Sequence, residues 1–249
     1  RVLFRSSPDG LTMMVVSIEL LTLYPHVFAK LNYDSFKDFV PVAGLTSSPY
    51  ALAVNAKSEH QTLAGLVAWL KANPKASAFG TPGLGTPQQF LGTMLGRDAG
   101  MEFRHVPYKG GAPAMQDLMG EQIPCIITAY APAAGQARAG AIRILGHSGQ
   151  SRLRSAPDVP TFAESGYKSM VAEGDFILAA QSRAPAEITR RVSEAVLADV
   201  RSDGFRAAVE KLVQEPLPAS SAEVTERMRR NSALWAGVVK ATGFKAMDD

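Results

Sequence analysis

The sequence holds one cysteine, Cys125, in 249 residues. A lone thiol can form neither an internal disulfide nor a thiolate metal cluster, and its place in the apolar run Ile123-Pro-Cys-Ile-Ile127 marks it as a buried small hydrophobe. Histidine is nearly as scarce. His26, His60, His105 and His147 lack the i, i+4 spacing and the Cys or Glu company of metal sites, so neither a metal nor a cofactor is expected. No apolar run is long enough to span a bilayer: residues 11–23 come nearest, but Glu19 interrupts them. Arg1 to Arg5 ahead of that run imitate a signal peptide. Pro8-Asp9-Gly10 is turn chemistry, however, and no small-residue cleavage site follows. Charge of one sign never gathers either. The 26 basic residues are scattered among 23 acidic ones for a net charge of +3, which lacks the basic stripe of a nucleic-acid partner.

Catalytic motifs are also missing. There is no G-x-S-x-G elbow and no phosphate-loop Lys-Ser/Thr pair, and Gly83-Leu-Gly85-Thr-Pro-Gln88 lacks the third glycine of a dinucleotide fingerprint. Gly146-His147-Ser148-Gly149 brings a histidine beside a serine, but adjacent positions on a strand point to opposite faces. No internal repeat or low-complexity tract occurs. These absences leave a globular, non-enzymatic chain, and its 46% hydrophobic content is enough for one large domain or two small ones.

What is present is alternation. Residues 11–16 form a β-capable run, and a helical stretch after Ser17 is expected to stop at Tyr24-Pro25. Residues 39–44 and 50–55 read as two strands. Leu63, Leu66, Val67 and Leu70 share one helix face, and Asn73-Pro74 ends that helix. Strands are expected at 76–80, 103–108, 123–127 and 142–146 with helices between them, an order that implies a parallel sheet covered by helices. A Pro-bearing segment at 155–160, one short helix and a strand at 176–180 follow. The rest is helical from Ala186, with breaks at 201–204 and 215–218. Trp69 and Trp235 read as core residues.

Two strand-to-helix junctions carry glycine, at 81–88 and 108–112. In the first, Thr86 reads as an N-cap, Pro87 as the first helical residue and Gln89 as a capping-box partner. Helix N-termini present unpaired N–H groups and partial positive charge, so each junction could hold a carboxylate, helped by the hydroxyls of Thr81, Thr86 and Tyr108. Tight turns alone would also account for the glycines.

Several motifs, in order, resemble the tripartite tricarboxylate transporter receptors, the Bug-type periplasmic solute-binding proteins. They are Pro8-Asp9-Gly10-Leu-Thr12, Leu31-Asn-Tyr33-Asp34 with Lys37-Asp38-Phe39, Val106-Pro-Tyr108-Lys109-Gly110-Gly111-Ala112-Pro113, Pro157-Asp158-Val159-Pro160-Thr161 with Ala163-Glu164-Ser165-Gly166, and Trp235-Ala-Gly-Val-Val-Lys240. The resemblance runs from Asp9 to about Gly243. It implies an α/β, two-lobed fold of the type II periplasmic-binding-protein kind, each lobe a mainly parallel sheet flanked by helices with the ligand cleft between the lobes. The expected lobes are 1–52 with 173–249, and 53–172. It also implies a monomeric periplasmic receptor that captures a small organic acid by lobe closure and hands it to membrane permease subunits. By position, the family's ligand loops fall here on Ser17, Glu19 and Leu20; Thr81, Gly83, Gly85, Thr86 and Gln88; Tyr108, Gly110, Gly111 and Ala112; Thr128; and Asp175 and Phe176.

Two departures from the family stand out. Its first strand and glycine-rich ligand loop should lie upstream of Arg1, with residues 1–7 foreign to it and the chain a piece of a longer protein. Glu19, Glu173 and Asp175 replace small or neutral residues and would repel an anion, about 4 kcal/mol for one contact at 4 Å and an effective dielectric near 20. The ligand is therefore expected to be a carboxylate, or one that also bears an amine or amide. A small-molecule enzyme or an effector-binding regulatory domain on a similar scaffold is the alternative.

Overall fold

Residues 7–248 are described by the structure, a computed structural model. They form two compact units. Unit 1 takes the segments before Ser48 and from Gly174 onward, and unit 2 is the continuous stretch Ser48–Glu173.

In unit 1, β1 (Met13–Ser17) pairs antiparallel with β7 (Glu173–Gln181), which lies next to β2 (Phe39–Asn55); the short β8 (Glu215–Pro216) also pairs with β2. Around this sheet lie α1 (Glu19–Thr22), α2 (Tyr24–Val27), α7 (Ala186–Val200), α8 (Asp203–Lys211) and α9 (Ser221–Thr242). Val16, Ile18, Leu21, Phe39, Ile177, Ala179, Val224 and Met228 form one buried cluster. Each fully buried aliphatic side chain of this kind stabilises by roughly 1.5–3 kcal/mol. Helix α9 starts from a complete capping box, Ser220 with Glu223, and ends at left-handed Gly243, so its 22-residue length is set by a side-chain cap at one end and a glycine backbone turn at the other.

Unit 2 is an α/β sandwich. Its sheet runs β6 (Ile142–His147), the C-terminal half of β2, β5 (Ile126–Ala129), β3 (Ala78–Thr81) and β4 (Arg104–Pro107). β5, β3 and β4 are parallel, as their alternation with helices requires, while β2 is antiparallel to both β5 and β6. The sheet is therefore mixed. Helices α3 (Leu63–Ala72), α4 (Pro87–Ala99), α5 (Gly111–Met119) and α6 (Tyr130–Arg138) link its strands. Phe79 and Phe90 are fully buried, and Cys125 is buried as its apolar run requires.

Three local expectations change. Residues 39–55 make one 17-residue strand instead of two. Pro49 is tolerated because it falls between the β8 pairing at Thr46–Ser47 and the β5 pairing that begins at Tyr50. Pro25 sits in the first turn of α2, where its missing N–H costs nothing, so the chain restarts as a helix there. The short helix expected after Pro160 does not form. Thr161 and Glu164 exchange side-chain-to-backbone hydrogen bonds of 2.8 and 3.0 Å, but Gly166 at φ 98° ends the turn at once.

Candidate functional site

In unit 2 the parallel strands β5, β3 and β4 end on one edge of the sheet, and α6, α4 and α5 begin there. The connecting loops are tied together. Tyr108 N–H donates to the Thr81 carbonyl at 3.0 Å and Gly110 N–H to the Pro82 carbonyl at 2.8 Å. A Cβ on Gly83 would lie 3.9 Å from the Tyr108 carbonyl, and one on Gly111 would lie 3.8 Å from Thr128 Oγ1. Thr81, Gly83, Gly85, Thr86, Gln88, Tyr108, Gly110, Gly111, Ala112 and Thr128 thus belong to one group of adjoining loops. Gly110, at φ 108°, is the position where only glycine is unstrained.

The hydroxyls expected to help a ligand are already engaged. Thr81 and Thr86 both donate to the Gly83 carbonyl at 3.0 Å, and Tyr108 donates to Asp117 Oδ2 at 2.7 Å. Burial, then the hydrogen bond from the phenol to Asp117, pushes the Tyr108 pKa up to about 12. His105 Nε2 lies 2.6 Å from Thr81 Oγ1. Because the Thr81 proton already points at Gly83, the imidazole must be the donor, and burial that lowers its pKa to about 4 keeps it neutral. Gln89 also departs from the expected capping box: its side chain accepts from Gly85 N–H at 2.7 Å instead of from Thr86.

What remains unengaged at this edge is the buried Gln88 side-chain oxygen and a set of backbone N–H groups. α5 and α6 start from Gly110 and Ala129 without a side-chain cap, and each carries proline at its third position, Pro113 and Pro132. Their first-turn donors outside the helical ladder are the N–H groups of Gly111 and Ala112, and of Tyr130 and Ala131. In α4, Pro87 has no N–H and Gln89 N–H is capped by Thr86, which leaves Gln88 N–H. The three helix N-termini add their positive dipole ends.

In unit 1, Ser17 lies opposite Phe176 in the β1–β7 register, and Ile18 N–H donates to the Asp175 carbonyl at 2.9 Å, so Ser17, Glu19, Leu20, Asp175 and Phe176 meet at one end of this pair. Leu20 and Phe176 are exposed, while Glu19 is buried and accepts from the Ser17 hydroxyl. Asp175 overturns the charge expectation placed on it. It is fully buried, with Oδ1 receiving Ser47 Oγ at 2.7 Å and Arg227 Nη2 at 3.0 Å, and Oδ2 receiving Arg227 Nε. Its negative charge is compensated by Arg227, which lies 52 positions away in sequence; nothing local in the sequence signals that pair.

His147 and Ser148 do not form a catalytic pair. Ser148 Oγ donates to the Ala172 carbonyl at 2.5 Å and accepts from Tyr50 N–H at 2.9 Å, while His147 Nδ1 accepts from Gly149 N–H at 3.1 Å. Among the described residues no cluster of three or more His, Cys, Asp or Glu could hold a metal ion, and no helix is long and apolar enough to cross a membrane.

The sequence profile of the tripartite tricarboxylate transporter family receptor matches residues 1–244. The chain belongs to this receptor family. The match includes residues 1–7, which are family sequence and not foreign to it; structurally, 1–6 lie outside the described residues. A UPF0065 protein of Bordetella bronchiseptica is 32% identical over 183 residues, 74% of this chain, and the chain spans 54% of that relative's length. Protein BugT of Bordetella pertussis is 28% identical over 246 residues, covering 97% of this chain and 74% of its own. Among solved structures, a periplasmic transporter superposes with a TM-score of 0.87 at 26% identity, over 98% of this chain and 81% of that one. The R. palustris protein Rpa4515, solved with adipate, gives 0.89 at 24% identity, over 98% and 82%. The fold is that of the periplasmic binding proteins.

Proposed function

We propose that the chain is the greater part of a periplasmic receptor that captures a small carboxylate without transforming it and passes it to a membrane permease. The observation that carries this reading is the edge of unit 2 where three helices begin beside one another with backbone N–H groups outside their ladders, at Gln88, Gly111, Ala112, Tyr130 and Ala131. Such groups are oriented donors in a field that favours negative charge, and they suit a carboxylate because an acceptor-only group meets donors only. With the Thr81, Thr86 and Tyr108 hydroxyls engaged, recognition rests mainly on the backbone. The Asp175 charge is compensated within unit 1, so that residue does not itself call for an amine on the ligand.

Calorimetric titration with adipate and malate, and with a neutral diamide and an amino acid as controls, tests the proposal. Dicarboxylate binding should weaken about tenfold, roughly 1.4 kcal/mol, in Ala112→Pro, which deletes one N–H in the first turn of a helix that tolerates proline there. Saturable binding of the diamide in preference to either acid, or dicarboxylate binding untouched by Ala112→Pro in a protein of unchanged melting temperature, would overturn it.

A further inference from the structure

Beside that edge, and sharing Tyr108 with it, unit 2 carries an open groove of 510 Å³ along β3 and β4, lined by Trp69, Lys75, Arg104, Tyr108, Glu121 and Ile123 among others. The volume falls in the range of roughly 300–1,000 Å³ typical of small-molecule sites. Its two aromatic walls each have a partner. The Trp69 indole is backed by the His60 ring at 5.1 Å, and the Tyr108 ring is fixed by its hydrogen bond to Asp117. Its floor is apolar. A Cβ on Gly80 would lie 2.6 Å from Ile123 Cδ1 and 3.1 Å from Tyr108 Cε2, so the two side chains close directly over a glycine that must stay bare.

The charges on the rim are uneven. Lys75 and Arg104 face one acid, Glu121, and among the described residues neither cation has a side-chain ion pair or hydrogen bond. Glu121 itself is held at φ 58°, a conformation a non-glycine residue adopts only when its surroundings impose it. An exposed guanidinium beside an indole and a phenol is a combination that takes a planar anion: the fork pairs with a carboxylate, and the rings cover a flat apolar body.

We propose that this groove is a binding site for an aromatic carboxylate, adjoining the helix edge at Tyr108 but using different charged groups from the ligand assigned there. Arg104 meets the carboxylate, Trp69 and Tyr108 hold the ring, and Lys75 adds long-range attraction.

The indole N–H signal of Trp69 reports on the groove directly, with Trp69→Phe used to assign it. Titration with 2-naphthoate should move that signal saturably in the unaltered protein, whereas 2-naphthamide should not. Arg104→Ala should weaken the effect at least tenfold, and Glu121→Gln should strengthen it. Neither change should alter adipate binding measured by calorimetry, so loss of adipate binding in the unaltered protein bears only on the helix edge. No saturable movement of the Trp69 signal, an equal response to the amide, or a response unchanged in Arg104→Ala would overturn the assignment.

Discussion

The Arg227 guanidinium grips the buried Asp175 carboxylate with two nitrogens, Nε on Oδ2 and Nη2 on Oδ1, while Ser47 donates to the same carboxylate from β2. Removing the cation would leave a fully buried carboxylate without this counter-charge. Arg227→Ala is expected to destabilise by about 3–5 kcal/mol in urea unfolding, and Arg227→Lys by less, since the point charge survives but the fork does not. The double variant Arg227→Met with Asp175→Leu should recover much of the loss. A double variant no better than Arg227→Ala would show that the pair is not what holds this region.

Stability should fall on the acid side of neutrality. His105 and His147 are each lowered to about 4 by burial, while both bind protons near 6.5 once unfolded. The folded-state values are depressed, so the unfolded chain takes up more protons between those limits. The contribution is complete above about 6.5 and is lost as pH falls toward 4. Each histidine adds a slope of at most about 1.4 kcal/mol per pH unit in that window. Unfolding free energies at pH 7.5, 6 and 5 should show the decline, and His147→Gln should flatten it; a flat profile in the unaltered protein would refute this account.

Tyr108 lies within the proposed ligand loops, yet its hydroxyl already serves Asp117. Tyr108→Phe is therefore expected to lower stability by about 1 kcal/mol and to change dicarboxylate affinity by less than about threefold. A loss of tenfold or more would show that the phenol turns toward the ligand.

Gly92 packs against the face of Phe79, where an added Cβ would lie 2.1 Å from the ring. Phe79 is fully buried and cannot retreat. Gly92→Ala should cost about 1–3 kcal/mol by overpacking, and Phe79→Leu in the same chain should restore part of it. Thermal unfolding of the two variants side by side tests the pairing.

The elements of unit 2 are legible because each is announced locally: Thr86-Pro87 starts α4, Thr62 caps α3, and glycine marks the turns into α4 and α5. The continuity of β2 is not. Thr46-Ser47-Ser48-Pro49 has the composition of a loop, and it is pairing with neighbouring strands, β7, β8 and β5 among them, that makes β2 continuous through it. The glycine-bearing junctions at 81–88 and 108–112 are legible in the same way as the helices they precede, whereas Ser17, Glu19, Leu20, Thr128, Asp175 and Phe176 are expected from the family resemblance alone. That their hydroxyls are internally engaged, and that Asp175 is compensated, depends on partners such as Asp117 and Arg227 that the fold brings together and that no spacing along the chain reveals.

β1 has its described partner in β7, at the far side of all of unit 2 in the chain. As the polypeptide emerges from the ribosome, the continuous stretch Ser48–Glu173 is complete and can collapse while Met13–Ser17 still waits for its neighbour. Unit 1 is thus expected to form after unit 2, delayed by a long-range closure that unit 2 does not need. Nascent chains halted before β7 should hold a protease-resistant middle and a vulnerable beginning.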